Sequence, residues 1–318
     1  MAIDLSNIIF TDQDDIFPVS GVEQIFNSSI ANTYGGNDTI IGTGSLDLND
    51  PSSNYGILNY GTVVTAEGSD VIIGTAGFDG FINYGTFNTG EGDDVITGEA
   101  YTSGIIIQEG IFDTGDGNDR ITGISNNTNY VSYGISNHST SVNTGDGNDT
   151  IDGRGFYGLV NNGLINTGTG KDTIITKGIH HENGGNLYNF FTIYTGEDDD
   201  IINGIGGIYN EGVISMGNGN DSIIANAGFN NNGSVFLGKG EDYIKGFGSG
   251  NFHGENDNDI LELTSGSYRV ERSESGVNFI NSNNIIMKTF EFEKLIVNNT
   301  TYDFASLSNG QTISVVLL

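Results

Sequence analysis

Nine segments of the chain close on an aspartate set among glycines. The clearest are TGDGNDTID (Thr144 to Asp152), TGDGNDRIT (Thr114 to Thr122), TGEGDDVIT (Thr89 to Thr97), TGTGKDTII (Thr167 to Ile175) and TGEDDDIIN (Thr195 to Asn203). More degenerate copies are TYGGNDTII (Thr33 to Ile41), TAEGSDVII (Thr65 to Ile73), MGNGNDSII (Met216 to Ile224) and LGKGEDYIK (Leu237 to Lys245). Their closing residues are Asp38, Asp70, Asp94, Asp119, Asp149, Asp172, Asp200, Asp221 and Asp242. Glycine at alternate positions lets backbone carbonyls turn, and the aspartate supplies negative charge. Together these are the donors of a hard cation such as calcium, which takes about six to eight oxygens on a flexible frame. A second chemically capable group is His180-His181-Glu182, within the insertion Lys177 to Tyr188. Adjacent histidines on an extended strand point to opposite sides, so the doublet chelates poorly, and no HExxH or Ser-His-Asp pattern accompanies it. It reads as surface loop.

The elements that carry the loops are legible from spacing. Each loop is a tight turn followed two residues later by a branched apolar residue: Ile40, Ile96, Ile121, Ile151, Ile174, Ile202, Ile223 and Ile244. Upstream lies a second half, as in YGILNYGTVVT (Tyr55 to Thr65) and YGLVNNGLINT (Tyr157 to Thr167). An Asn or Gln precedes the loop Asp by 11 residues at Asn27, Asn59, Asn83, Gln108, Asn161, Asn189, Asn210 and Asn231, with Asn137 displaced by one. The other half, from a loop Asp to the next Asn, varies from 10 residues to 21. Insertions held to one position of a repeat map to one edge of a solenoid. Apolar residues alternate with Gly, Asn and Thr in short runs bounded by turn signals, which predicts strands, and no 3.6-residue period supports helices. The expected fold is all-β: a right-handed parallel β-solenoid (β-roll or β-helix) of about nine turns, extending about 40 Å at ~4.8 Å per rung. Residues 1–25 are expected to form an N-terminal cap, 26–259 the repeats and 260–318 a C-terminal β cap. HGENDNDILEL adds a last partial loop through Asp257 or Asp259.

Position by position the loops fit the nonapeptide G-G-x-G-x-D-x-U-x. From roughly Phe26 to Asp259 the chain resembles the RTX, or haemolysin-type, calcium-binding repeat proteins. It departs from them where Thr, Met or Leu replaces the first Gly, and in having one loop per turn instead of nonapeptides back to back. The resemblance implies that Ca²⁺ sits between loops of successive turns on one edge. It implies as ligands the nine closing aspartates with nearby carbonyls, among them those of Gly90, Gly92, Gly115, Gly117, Gly145 and Gly147. The loops of Asp94, Asp119 and Asp149 are nearest to consensus, whereas Lys171 and Lys239 place a cation inside two others. The resemblance also implies a secreted protein with an uncleaved type I secretion signal at its C-terminus, with which TISVVLL is compatible.

Composition bounds the partners. There are 41 Asp and Glu against 10 Lys and Arg, a net charge of −31. That surface repels nucleic acid and anionic membranes and favours cations. No Cys is present, so disulfides and thiolate metal sites are excluded. The first residues, MAIDLSNIIFTDQDD, carry no basic n-region or long apolar run of a secretory signal, and no stretch reaches the ~20 apolar residues of a membrane span.

The expected function is that of a calcium-binding extracellular or cell-surface protein that folds on Ca²⁺ and serves a structural or interaction role. Its partners would be calcium ions and a surface glycan or another surface protein. The alternative is a carbohydrate-active β-helix enzyme, a polysaccharide lyase or epimerase, with acidic residues on the insertion edge. No catalytic cluster is visible for it in the sequence. Two bland readings stand beside these: the loops as plain Gly turns with the Asp capping local amides, and the Asn column as rung-to-rung hydrogen bonding. The Thr column (Thr33, Thr65, Thr89, Thr114, Thr144, Thr167, Thr195) would suit an ice-binding face only if it pointed outward in unbroken ranks.

Overall fold

The structure, a computed structural model, describes residues 2–18, 23–48, 54–127, 131–138, 141–178 and 186–316. His180, His181 and Glu182 lie outside the described residues, as do Leu317 and Leu318 of the expected secretion signal.

Each repeat folds into a rung of three short strands, for example Tyr55–Asn59, Thr62–Val64 and Val71–Ala76. Each strand pairs in parallel with its counterpart one rung on, so Ile72 faces Ile96 and Ile96 faces Ile121. Among the described residues the third strands build one sheet of 13, and the first and second strands join in another of 23. The chain is thus a parallel β-solenoid.

The period-2 pattern of the third strand turns one isoleucine per rung inward. Ile40, Ile72, Ile96, Ile121, Ile151, Ile174, Ile202, Ile223 and Ile244 are each at most 2% exposed. Parallel columns line the other two sides, through Ile57, Phe81 and Ile105 of the first strand and Val63, Phe87 and Phe112 of the second. Each such side chain contributes about 1.5–3 kcal/mol on burial, and it meets a near-identical neighbour above and below. At the corner where the third strand turns into the first, a Cβ on Gly98 would stand 2.1 Å from the Gly104 carbonyl. Only glycine lets the two strands touch there.

The stacking runs past both expected boundaries. Ala2–Asp4 pairs with the strand at Gln24, and Ile16–Phe17 pairs with Thr39 and Ile40, while Leu5 and Phe10 plug the core. At the other end Ile286–Phe290 and Lys294–Val297 add a further parallel rung on Gly248–Asn256 and Ile260–Glu262. Antiparallel strands Gly266–Arg272, Val277–Asn281 and Thr312–Val315 then close the stack.

One reading of the Asn column is corrected. Ile107, and not Gln108, pairs with Asn83 on one side and Asn137 on the other. Asn137 is therefore a regular member and Ile107 interrupts the column. These two rungs carry one extra residue in the turn after the first strand, since Ile107 to Ile111 spans the step that Asn83 to Thr86 makes in three. Counting back from the loop Asp therefore lands one residue late on one rung and misses on the next.

Candidate functional site

The loop edge is built by glycines that no other residue replaces without strain. Gly90 and Gly92 have φ of 103° and 135°, and Gly115, Gly117, Gly145 and Gly147 lie in the same left-handed range. A Cβ on Gly92 would stand 2.2 Å from the Gly68 carbonyl of the preceding rung. Flat stacking, as well as turn geometry, demands glycine here. Several loop carbonyls are already engaged: Gly90 O accepts Asp116 N at 3.0 Å and Gly145 O accepts Thr169 N at 3.1 Å.

The stack brings all nine predicted aspartates into one column, each at most 2% exposed. The backbone N–H of each donates to Oδ1 of the next: Asp94 to Asp119 at 2.8 Å, Asp119 to Asp149 at 2.8 Å, Asp221 to Asp242 at 2.7 Å. The ladder is longer than the sequence repeats. It begins at Asp15, whose N–H donates to Asp38 Oδ1 at 2.8 Å, and passes from Asp242 to Asp259 at 3.0 Å and from Asp259 to Glu293 Oε2 at 2.9 Å. Of the two partial-loop candidates, Asp259 is the member, and Asp257 stands in the left-handed region with φ of 82°.

The other oxygen of each carboxylate makes no hydrogen bond of ordinary length and angle, the nearby loop Thr hydroxyls being turned to the next rung's carbonyl. Oδ2 of Asp38, Asp70, Asp94, Asp119, Asp149, Asp172, Asp200, Asp221, Asp242 and Asp259 is buried without a hydrogen bond. Burial pushes these carboxyls up, to about 6 at Asp70 and Asp119, about 7 at Asp94 and Asp149, and about 8 at Asp172 and Asp221. The Thr hydroxyl that opens the loop, Thr89 at Asp94 and Thr114 at Asp119, and then the amide from the preceding rung work against that rise without cancelling it.

The residue before each Asp forms a second ladder, which reading the sequence did not find. Asn118 N donates to Asp93 Oδ1 at 2.7 Å, Asn148 N to Asn118 Oδ1 at 3.0 Å and Lys171 N to Asn148 Oδ1 at 2.9 Å. These bonds point toward the N-terminal rung, whereas the Asp ladder points toward the C-terminal one. Exposed Asp93 is held below the usual carboxylate range by the Asn118 hydrogen bonds. The signal was present in the sequence as Asn, Asp or Ser at that position in seven of the nine loops, with Lys171 and Glu241 in the other two.

The remaining polar columns are structural. Asn59 Nδ2 donates to Asn83 Oδ1 at 2.7 Å, and Asn137 leads through Asn161, Asn189 and Asn210 to Asn231 at 2.7–2.9 Å. The Thr column is buried, each hydroxyl donating to the next rung's carbonyl, as Thr65 Oγ1 does to Thr89 O at 3.0 Å. It forms no outward rank.

Among the described residues no three His, Asp or Glu side chains converge on one point as a ready metal cluster. The donor set that could hold a hard cation is linear: one Oδ2 without a hydrogen bond per rung, repeated along the stack. A cavity of about 480 Å³ opens in the C-terminal cap beside Arg272, Glu274, Glu291, Glu293 and Lys294. Its cations hold the cap together, Arg272 by donating to the Phe304 and Leu307 carbonyls and Lys294 by pairing with Asp303. No helix among the described residues is long and apolar enough to cross a membrane.

No family model matches the chain, and no curated protein or solved structure shows significant similarity to it.

Proposed function

We propose that the chain is a calcium-dependent solenoid scaffold that acts outside the cell or at its surface by interaction, not catalysis. The observation that carries the reading is the row of buried Oδ2 atoms without a hydrogen bond, from Asp38 to Asp259. A buried carboxylate with an idle oxygen on each rung needs a proton or a cation, because an isolated buried charge is costly. In a chain of net charge −31 the need is compounded by repulsion. Calcium suits hard oxygens on successive turns, and the nonapeptide resemblance to RTX proteins supports the same ion.

In this reading Asp38, Asp70, Asp94, Asp119, Asp149, Asp172, Asp200, Asp221 and Asp242 hold the ion through Oδ2 while Oδ1 keeps the rungs in register. Bound calcium supplies positive charge along the column, and site occupancy becomes folding free energy. Extracellular calcium modules work at ~10⁻⁴ to 10⁻³ M, which makes the calcium-dependent loops loose where calcium is scarce and ordered outside the cell. The insertion edge is then available to a surface glycan or a surface protein.

The test is far-UV circular dichroism of EDTA-treated protein titrated with Ca²⁺ and, separately, with Mg²⁺. The expected result is a calcium-specific rise in β signal or melting temperature below a few millimolar. A complete β signal in EDTA with a melting temperature that calcium leaves unchanged would overturn the reading and leave the loops as Gly turns.

A further inference from the structure

The exposed middle residue of each loop forms a third column, and its two halves differ. Glu67 bridges to Glu91 and Glu91 to Asp116 in parallel register, followed along the edge by Asp146, Thr169 and Glu197. Asn218 and Lys239 continue it. The side chains of Glu67, Glu91 and Asp116 receive no hydrogen bond or ion pair among the described residues, whereas Asp93 of the neighbouring column takes Asn118 N and Nδ2 at 2.7 and 2.9 Å. They stand one rung apart, and like charges directly opposite on neighbouring strands are destabilising.

From Asp146 onward, Asp146, Glu197 and Asp199 each meet a donor from the next or the preceding rung, while Asp198 and Glu241 meet none among the described residues. Thr169 Oγ1 donates to Asp146 Oδ1 at 2.9 Å. Asn218 Nδ2 reaches both Glu197 oxygens at 2.8 Å. Asp199 takes Lys171 Nζ at 2.6 Å on Oδ2, and Asn220 N and Nδ2 at 2.9 and 3.1 Å on Oδ1. The most acidic loop, Thr195 to Asp200, is thus served from both sides, and only Asp198 of its outer carboxylates is left. The Asp column is the same in both halves, so what differs is the outer charge.

We infer that cation dependence is concentrated in the N-terminal loops, residues 65–119, while the loops from Thr167 to Asp242 carry their own counter-groups and form a stem that stays folded when calcium is removed. Lys171 acts as a resident cation at the junction. This inference rests on the calcium reading above and says where along the edge that reading applies.

Hydrogen–deuterium exchange of the full chain, read segment by segment in EDTA and in millimolar CaCl₂, tests it. Amides of Val71–Ala76, Phe87, Val95–Ala100 and Phe112 are expected to exchange at least about tenfold more slowly with calcium, those of Thr192–Glu197 and Val213–Asn218 within about twofold. A gain spread evenly over all rungs, or larger in the C-terminal loops, would overturn it. If calcium changes no segment, the calcium reading fails by itself. The partition is then read from low against high NaCl, where an equal response of both halves sinks it and protection confined to the N-terminal loops sustains it. Lys171→Glu should extend calcium dependence to Thr192–Gly204, and Glu91→Gln with Asp116→Asn should protect the N-terminal loops in EDTA. Failure of both variants to shift these segments counts against the proposal.

Discussion

Asp259 donates its backbone N–H to Glu293 Oε2 at 2.9 Å, so the column of stacked aspartates ends on a glutamate from the C-terminal cap. The cap supplies the acceptor that the last repeat would otherwise lack, as well as covering the core.

Removing that acceptor should therefore destabilise the whole stack from its end. Glu293→Ala leaves the Asp259 amide unpaired, at a cost of about 1–3 kcal/mol, while Glu293→Gln keeps an oxygen in place and should cost less. The midpoint of urea unfolding, measured in calcium, separates the two. Equal midpoints for both variants would show that Glu293 is not a ladder member.

Mid-column, Asp119→Asn and Asp119→Ala are expected to diverge. Asparagine retains the Oδ1 that accepts the Asp94 amide and removes a buried charge, so in EDTA at pH 8 it should match or exceed the parent in thermal stability. Alanine should lose about 1–3 kcal/mol under the same conditions. In calcium the Asn variant should gain less than the parent does.

Acidity should stabilise the calcium-free protein. The column carboxyls have folded-state values raised above the ordinary 3.8, to about 6 at Asp70, about 7 at Asp94 and about 8 at Asp221. The folded chain then binds more protons than the unfolded one between roughly pH 4 and 8, and stability falls as pH rises through that window. In EDTA the melting temperature should be higher at pH 5 than at pH 8, with calcium narrowing the gap. A melting temperature that climbs from pH 5 to pH 8 in EDTA would show that the carboxyls are not held as described.

The Asn column offers a paired test of register. Asn161→Ala removes the acceptor of Asn137 Nδ2 and the donor to Asn189, and should lower stability by about 1–3 kcal/mol. Ile107→Asn fills the natural gap between Asn83 and Asn137 and should be tolerated with less than about half that loss. A large loss at Ile107 and none at Asn161 would contradict the observed pairing.

The solenoid, its isoleucine ladder and the aspartate column were legible because each depends on one residue type at one fixed distance, such as Ile121 two residues after Asp119. Features carried by mixed residue types were not. The second ladder uses Asn37, Ser69, Asp93 and Asn118 interchangeably, since each offers an oxygen at the same place. Asp14-Asp15 and Glu293 continue the two ladders outside any nonapeptide, so no motif marks them. Spacing points to Gln108 as a column member in place of Ile107 because one extra turn residue is absorbed without disturbing the strands on either side, the same insertion that displaces Asn137. The proposed ion site is a matter of which oxygens remain idle once the backbone is satisfied, and spacing alone does not tell an idle Oδ2 from an engaged Oδ1.

The two loop ladders run in opposite directions, so among the nine loops every rung but the one after Lys171, whose side chain offers the Asp199 amide no oxygen, presents the same pair of bonds, one facing forward and one back, to its neighbours. A whole rung can then be duplicated or deleted in the gene and the joint heals, because the new neighbours find the donors and acceptors they had before. Single-residue slips have no such freedom, as they break both bonds at once. Length in this molecule is therefore set by Asp15 at one end and Glu293 at the other, and between them it is a quantity that evolution can adjust in whole rungs.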